Sequence, residues 1–376
     1  MTIDEGILWL MGIFMILGAL DRIFGSPLGI GKQFEEGLLA IGALSLSMLG
    51  ILALAPVLAN VLKPVLVPVY RFLGADPAMF AGSILANDMG GAPLAAELAE
   101  TKEAARFGGL IIGSMLGATI VFTIPIALGI IEAEDRPALA RGILAGVITI
   151  PVGAFVGGLV AGFPVGMILR NLLPIVLFAV AIALGLWFFE KAVITGFLWF
   201  GRIIVGVITV GLGAGIFQYL TGITLIPGMA PLMDGVEVVA GIGFVLAGAF
   251  PLVLVLTKVL RKPLMKVGAL IGINDTAAAG LVASLANSIP MFSMLKDMDP
   301  RGKVVNVAFA VSAAFVFGDH LGFTAGYDSE MLLPVIVAKM IAGLSAVFVA
   351  FFLTKGLSKA KKDENIDACR KCRKNG

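Results

Sequence analysis

The chain has 376 residues, of which 59% are hydrophobic and only 14% are charged, with a formal net charge of +2 and a mean hydropathy of +1.04. A soluble domain carries about 25% charged and roughly 45–50% apolar residues, so this composition excludes an ordinary soluble protein. We therefore expect a membrane protein with the lipid bilayer as a partner, and no nucleic-acid partner.

Apolar runs of about 20 residues predict membrane-spanning helices, because a helix of that length crosses the hydrocarbon core. Nine such spans are predicted in chain order, at about 5–20, 38–59, 107–131, 138–160, 171–189, 197–218, 236–257, 303–321 and 331–354. Met1 to Glu5 carries acids in place of the basic start of a signal peptide, so the first run is predicted to be a span.

Two further segments, at about 74–104 and 263–295, are each interrupted by a polar, helix-breaking centre. They are predicted to be re-entrant helical hairpins, which a membrane tolerates only where protein or water covers the broken backbone. The predicted fold class is an all-α polytopic membrane protein with about nine full transmembrane helices and two re-entrant hairpins.

Lys and Arg are distributed unevenly between the predicted loops. If the C-terminus is cytoplasmic, the inner loops carry thirteen basic residues and the outer loops five, before the tail is counted. Cytoplasmic loops are enriched in Lys and Arg, so the N-terminus is predicted outside and the C-terminus inside. Residues 357–376 then form a basic cytoplasmic tail, in which Cys369 and Cys372 are too few for a zinc site.

The dipeptide Asn-Asp marks an internal repeat, at Asn87-Asp88 and at Asn274-Asp275, 187 residues later. The thirteen-residue segments that begin there share seven residues without a gap. An odd number of passes separates them, so the hairpins would enter from opposite faces, as in transporters with inverted repeats. The alternative is that both pairs are helix caps, since Asn and Asp favour that position. The predicted organisation is one transmembrane transport domain over 1–356, with repeat 1 at about 38–160 and repeat 2 at about 236–354.

The two hairpin tips supply the predicted substrate site, because ionisable groups inside hydrocarbon are costly and are functional candidates. A carboxylate there would hold a cation, an amide both donates and accepts hydrogen bonds, and glycines let the backbone turn close to a ligand. The residues predicted for this site are Asn87, Asp88, Gly90, Gly91, Asn274, Asp275 and Thr276.

Asp319 and His320 form a second polar cluster in the predicted span 303–321, and His320 is the only histidine of the chain. Histidine titrates near neutral pH, so this pair is a candidate for proton coupling, with an interfacial helix cap as the equal alternative. Lys339 lies midway along the last span and is predicted to pair with a carboxylate, Asp319 being one candidate, in a mainly structural role. With one histidine and no nucleotide-binding motif, no enzyme, cofactor or metal site is predicted.

Three stretches resemble the ethanolamine-utilisation transporter family, EutH. They are residues 17–95, which contain SILANDMGGAPLA, then GINDTAAAGLVASLANSIPMF at 272–292 and FVFGDHLGFTAGYD at 315–328. The resemblance implies a permease of the bacterial cytoplasmic (inner) membrane that takes up ethanolamine. The ammonium and hydroxyl groups of ethanolamine suit the carboxylates and amides of the two predicted tips.

Three kinds of protein remain open. The first is a carrier for ethanolamine, either passive or coupled to protons, and the second is a channel-like facilitator. The third is a membrane enzyme or a structural anchor for a pathway assembly. A homo-oligomer is also left open by the sequence.

Overall fold

The computed structural model describes the backbone of residues 2–355, and the side chains of all of these except 190, 260–262, 264, 266, 267 and 269. The predicted tail, with Cys369 and Cys372, lies outside the described residues. Within the described part the chain is helical and contains no strand, which confirms the predicted all-α class.

The α-helices follow one another in chain order and are joined by short 3-10 turns and loops. They are α1 (Ile3–Ile23), α2 (Ile30–Phe72), α3 (Ala78–Ile84), α4 (Gly91–Leu98), α5 (Lys102–Arg106), α6 (Ile124–Ile130), α7 (Arg136–Val147), α8 (Ile150–Val160), α9 (Val165–Thr221), α10 (Leu232–Ile271), α11 (Asp275–Ala286), α12 (Ser288–Ser293), α13 (Pro300–Ala313), α14 (Asp319–Tyr327) and α15 (Leu332–Leu353). The backbone between α5 and α6 is π-helical, over Phe107–Gly117 and Thr119–Thr123.

Eight helical stretches of the described residues are long and apolar enough to cross a membrane, and each coincides with a predicted span. They are Ile3–Ile23, Ile30–Phe72, Lys102–Ile130, Ala133–Val160, Val165–Phe189, Lys191–Thr221, Leu232–Val259 and Ser329–Leu353. The long α9 supplies two of them, because its backbone leaves helical geometry at Phe189 (φ −135°, ψ 40°).

The predicted ninth span, 303–321, is not one helix, and this corrects the sequence-based prediction. Helix α13 ends at Ala313 and α14 begins at Asp319, and Phe315 between them has a left-handed backbone (φ 62°). Hydropathy could not reveal the break, because the intervening residues are as apolar as the helices they interrupt. Their backbone groups bond to a different part of the chain, as described below.

The predicted hairpin regions contain two pairs of short helices. Helices α3 and α4 lie in the first region, on either side of a break and a 3-10 turn at Asn87–Met89. Helices α11 and α12 lie in the second, separated at Asn287, whose backbone is extended. The start of the second region, 263–271, is instead the end of α10.

The centre of the molecule is formed by the first short pair and the π-helical segment. Every residue of Phe107–Gly117 is buried, and a Cβ on Gly82 or Gly117 would clash with backbone carbonyls of the facing segment. Such close backbone approach is what small residues permit in membrane helices. The break between α3 and α4 therefore lies in the protein interior, away from lipid, where a broken backbone is tolerated.

Candidate functional site

The break between α3 and α4 is a tight turn that fixes Asn87 and Asp88. The turn ends at Gly90, which has a positive φ of 97°, a conformation that side chains with a Cβ rarely adopt. A Cβ on Gly91 would lie 2.5 Å from the carbonyl oxygen of Leu85, so that position also requires glycine. Gly90 and Gly91 thus shape the backbone that carries Asp88.

The break between α13 and α14 is held by backbone hydrogen bonds to the second short pair. The amide of Phe315 donates to the carbonyl of Ser284 at 3.0 Å, and that of Phe317 donates to Leu285 at 2.9 Å. A Cβ on Gly318 would clash with the carbonyl oxygen of Ala286. These contacts replace the missing helical bonds and place Asp319 at the start of α14.

The two breaks meet at a small cavity of about 20 Å³ that holds three of the predicted polar residues. Its lining residues are Ala86, Asp88, Met89, Phe122, Phe315, Asp319 and His320. The Nε2 atom of His320 lies 3.9 Å from Oδ1 of Asp88, across the cavity. The structure therefore joins the first hairpin tip to the Asp319–His320 cluster, which the sequence analysis treats as separate sites.

Lys339 lies directly behind His320 and is almost fully buried, with 1% of its surface exposed. Its Nζ atom donates a hydrogen bond to the carbonyl oxygen of Ser114 at 2.5 Å and lies 3.0 Å from Nδ1 of His320. Asp319 lines the same small cavity as Asp88. A lysine and two carboxylates, from three separate parts of the chain, thus share one buried region.

Asn87 is completely buried, and neither its amide nitrogen nor its amide oxygen has a hydrogen-bond partner. Leaving such a group unpaired costs about 1–3 kcal/mol, so an unpaired Asn beside Asp88 is unusual in a purely structural turn. Asn87 itself does not line the small cavity, although its neighbours Ala86 and Asp88 do.

The structure does not bring Asn274, Asp275 or Thr276 into this cavity. Asn274 is exposed and is the N-cap of α11, since its side-chain oxygen accepts a bond from the amide of Ala277 at 2.9 Å. Its side-chain nitrogen donates to the carbonyl of Asp297 at 3.0 Å. This geometry is the helix-cap alternative weighed in the sequence analysis.

Several lining groups lie beyond the reach of sequence reasoning. Phe122 and Phe315 belong to apolar runs and carry no polar signal, while Ser114, behind the cavity, contributes only a backbone carbonyl to Lys339. The one local signal is the segment 315–328, in which glycine and a charged pair interrupt an apolar run.

A second cavity, of about 180 Å³, lies along α4 and at the end of α14, and it is lined by residues that include Ala92, Ala96, Tyr327 and Asp328. Arg106 lines this cavity and forms a bidentate ion pair with Asp328, in which it donates hydrogen bonds of 2.7 and 2.9 Å. It donates a third hydrogen bond, of 2.6 Å, to Glu330. The Arg106 and Asp328 side chains are only 19% and 18% exposed. The ion pair thus links the end of α5 to the segment between α14 and α15.

Known proteins similar to this chain agree with the resemblance seen in the sequence. The model of the family described as "Ethanolamine utilisation protein, EutH" matches residues 3–353. A protein of Listeria monocytogenes, named probable ethanolamine permease EutH, is 60% identical over 98% of this chain and 99% of its own length. A protein of Salmonella typhimurium with the same name is 50% identical over 94% of this chain and 96% of its own.

A Bacillus subtilis protein, named uncharacterized protein YxeR, is 47% identical over 98% of this chain and 99% of its own length. No solved structure matches the chain. The family match extends from α1 to the end of α15, so it includes both breaks and every residue of the cavity. The chain therefore belongs to the EutH family of ethanolamine utilisation proteins.

Proposed function

We propose that this chain transports ethanolamine across the bacterial cytoplasmic membrane and binds the substrate ammonium between Asp88 and Asp319. The observation that carries the proposal is the charge balance of the buried region. Asp88 and Asp319 line the cavity and Lys339 contacts His320 from behind, so one positive charge is missing when the two carboxylates and the lysine are all ionised. Unpaired buried charges are expensive, and a small monovalent cation supplies the missing charge. The names of the relatives support ethanolamine as that cation.

The size of the cavity supports a carrier. About 20 Å³ has room for one water molecule, which is less than the four non-hydrogen atoms of ethanolamine need. Binding therefore requires a movement that widens the cavity. We propose that the rings of Phe122 and Phe315, which line it and meet edge to face at 5.3 Å, move apart. The alternative is a channel-like facilitator, or a transporter for another small organic cation.

The two short helix pairs support an inverted repeat. The alignment of the two repeats that they suggest differs from the one that superposes the Asn-Asp dipeptides. Each pair follows a glycine with positive φ, Gly74 at 68° and Gly272 at 71°. Two residues after each glycine, a side-chain oxygen accepts a hydrogen bond from a backbone amide at the start of the helix. The accepting side chain is Asp76 in the first pair and Asn274 in the second. Asn274 thus corresponds to Asp76 in the fold.

The breaks of the two pairs also correspond. Both carry the sequence Leu-Ala-Asn, at 85–87 and at 285–287, and the backbone is extended at Leu85 and Ala86 in one and at Asn287 in the other. In this register Asn287 is the counterpart of Asn87. Next to the break between α11 and α12, the carbonyls of Ser284 and Leu285 accept hydrogen bonds from the amides of Phe315 and Phe317. The break between α3 and α4 therefore reaches the cavity directly, and the break between α11 and α12 reaches it through Phe315.

We further propose that Arg106 and Asp328 close the outer route to the site. Helices α4 and α14 both begin at the small cavity and both line the larger one, and they are about 12 and 13 Å long. A substrate that moved between these helices would pass from the larger cavity to Asp88. The distribution of basic residues puts Arg106 on the outer side.

The proposed orientation counts α13 and α14 together as one broken crossing, which with the eight apolar helical stretches makes nine, and it gives a direct prediction. A fluorescent or protease-sensitive tag at residue 1 should report the periplasmic or external side, and a tag at 376 the cytoplasm, since the inner loops carry the excess of Lys and Arg. A tag in the loop after Ile23 should report the cytoplasm, and a tag in the loop after Thr221, which follows six crossings, should report the external side. The opposite result at both ends would overturn the proposed outer position of Arg106.

Counterflow is the experiment that tests the proposed function. Purified protein in proteoliposomes should take up labelled ethanolamine, and unlabelled ethanolamine inside the vesicles should accelerate that uptake several-fold, because a carrier returns faster when loaded. Protein-free liposomes are the control, at a pH where ethanolamine is mostly protonated and crosses lipid poorly. Uptake without acceleration would favour the channel-like alternative, and no uptake above the control would refute ethanolamine transport.

A further inference from the structure

The hydrogen bond between Lys339 and His320 determines which of the two ring nitrogens of the histidine carries a proton. An ammonium group donates three hydrogen bonds and accepts none. Nζ of Lys339 lies 2.5 Å from the carbonyl oxygen of Ser114 and 3.0 Å from Nδ1 of His320, so a protonated Lys339 donates to both. Nδ1 must then be the accepting nitrogen of a neutral ring, so the ring proton is on Nε2.

The Nε2–H group of His320 faces the substrate cavity. The ring is 4% exposed and is fixed on its other side by Phe315, whose ring centroid is 5.3 Å away. The nearest carboxylate oxygen, Oδ1 of Asp88, is 3.9 Å from Nε2, which is too far for a hydrogen bond. The cavity thus presents a fixed donor on one wall and carboxylates on the others.

We infer that His320 binds the hydroxyl group of the substrate and that Lys339 fixes His320 in the tautomer that does so. This inference rests on the proposed function. The ammonium group takes the carboxylates of Asp88 and Asp319, and the hydroxyl oxygen accepts a hydrogen bond from Nε2 of His320. Two carbon atoms separate the amino and hydroxyl groups of ethanolamine, so both groups reach opposite walls once the movement that admits the substrate has widened the cavity.

Lys339 is therefore a positioning residue that acts on specificity through His320. Without its ammonium, Nδ1 is free to carry the ring proton, and Nε2 then accepts a hydrogen bond instead of donating one, so the contact persists only if the substrate hydroxyl turns to donate its own proton. The site should select amino alcohols over plain amines, because an amine without the hydroxyl leaves a buried donor unpaired. Ethylamine, which matches ethanolamine except for the hydroxyl, is the appropriate comparison.

The first measurement uses the fact that His320 is the only histidine. Protein labelled with ¹⁵N-histidine gives the ring-nitrogen resonances of this residue alone, and they should report protonated Nε2 and unprotonated Nδ1. In Lys339→Met the Nδ1-protonated tautomer should gain population. A wild-type spectrum with protonated Nδ1 would overturn the assignment, whatever the variant does.

The second measurement is the ratio of the ethylamine inhibition constant to the ethanolamine KM in proteoliposomes. We expect a ratio of at least about 10 for the wild type, a fall to about 1–2 in His320→Phe and a smaller fall in Lys339→Met, through weaker ethanolamine binding. His320→Gln, which keeps a side-chain N–H donor, should retain most of the ratio, and Lys339→Arg should retain it as well. A ratio unchanged in Lys339→Met would overturn the positioning role.

Lys303→Met is the matched control, because Lys303 is also a partly buried lysine but pairs with Asp135, away from the cavity. Its ratio should equal that of the wild type even if its expression falls. The outcomes separate the two proposals. Wild-type protein that transports ethanolamine without discriminating against ethylamine refutes the hydroxyl contact alone, whereas absence of ethanolamine transport refutes the proposed function.

Discussion

Replacing Asp88 by Asn should reduce ethanolamine uptake about 100-fold. The substitution keeps the shape of the side chain and removes its charge, so the ammonium loses a charge-assisted hydrogen bond in a buried cavity. Such a bond contributes up to about 3 kcal/mol, and ~1.4 kcal/mol corresponds to a factor of ten in affinity. Labelled uptake in proteoliposomes, normalised to the amount of folded protein by size-exclusion chromatography, measures the effect.

The comparison for this variant is Asp275→Asn, because Asp275 stands in the same dipeptide of the second repeat. Asp275 is exposed and belongs to the first turn of α11, so its replacement should change uptake by no more than about two-fold. A loss as large as that of Asp88→Asn would favour a site shared by both Asn-Asp tips, as the sequence predicts. Wild-type uptake by Asp88→Asn would refute the proposed ammonium site.

Replacing Arg106 by Gln should open the outer route to the cavity. The change removes the two-pronged bond to Asp328 and leaves a partly buried carboxylate unpaired, which costs about 2 kcal/mol or more. Raising the free energy of the closed conformation by about 2 kcal/mol increases the ratio of open to closed protein by roughly 30-fold. Arg106→Lys should have a smaller effect, because a lysine keeps the charge but cannot form the bidentate contact.

The opening can be measured at Met89, which lines the cavity. In a protein whose two cysteines, Cys369 and Cys372, are replaced by Ser, a Met89→Cys thiol should react with an external, membrane-impermeant reagent at least ten-fold faster when Arg106 is Gln. Arg71→Gln is the matched control, since it breaks the exposed Arg71–Glu100 ion pair and should not change the rate. Equal rates in both backgrounds would exclude Arg106 as the outer gate.

The sequence by itself determined the class of the protein, eight of its spans and its family. These properties depend on local composition, because the bilayer requires about 20 apolar residues for each crossing wherever they fall in the chain. It also singled out Asp88, Asp319, His320 and Lys339 individually, since each is a polar residue in an apolar run.

Only the tertiary structure decided how these residues are combined. Asp88 and Lys339 are separated by 251 positions in the chain, and no local pattern predicts that both approach His320. The structure also separated two identical dipeptides, because Asn274 lies at an exposed helix start where its amide is satisfied as a cap, while Asn87 lies in a buried break where its amide is not. Burial and hydrogen bonding depend on which segments pack against one another, and that information resides in the fold.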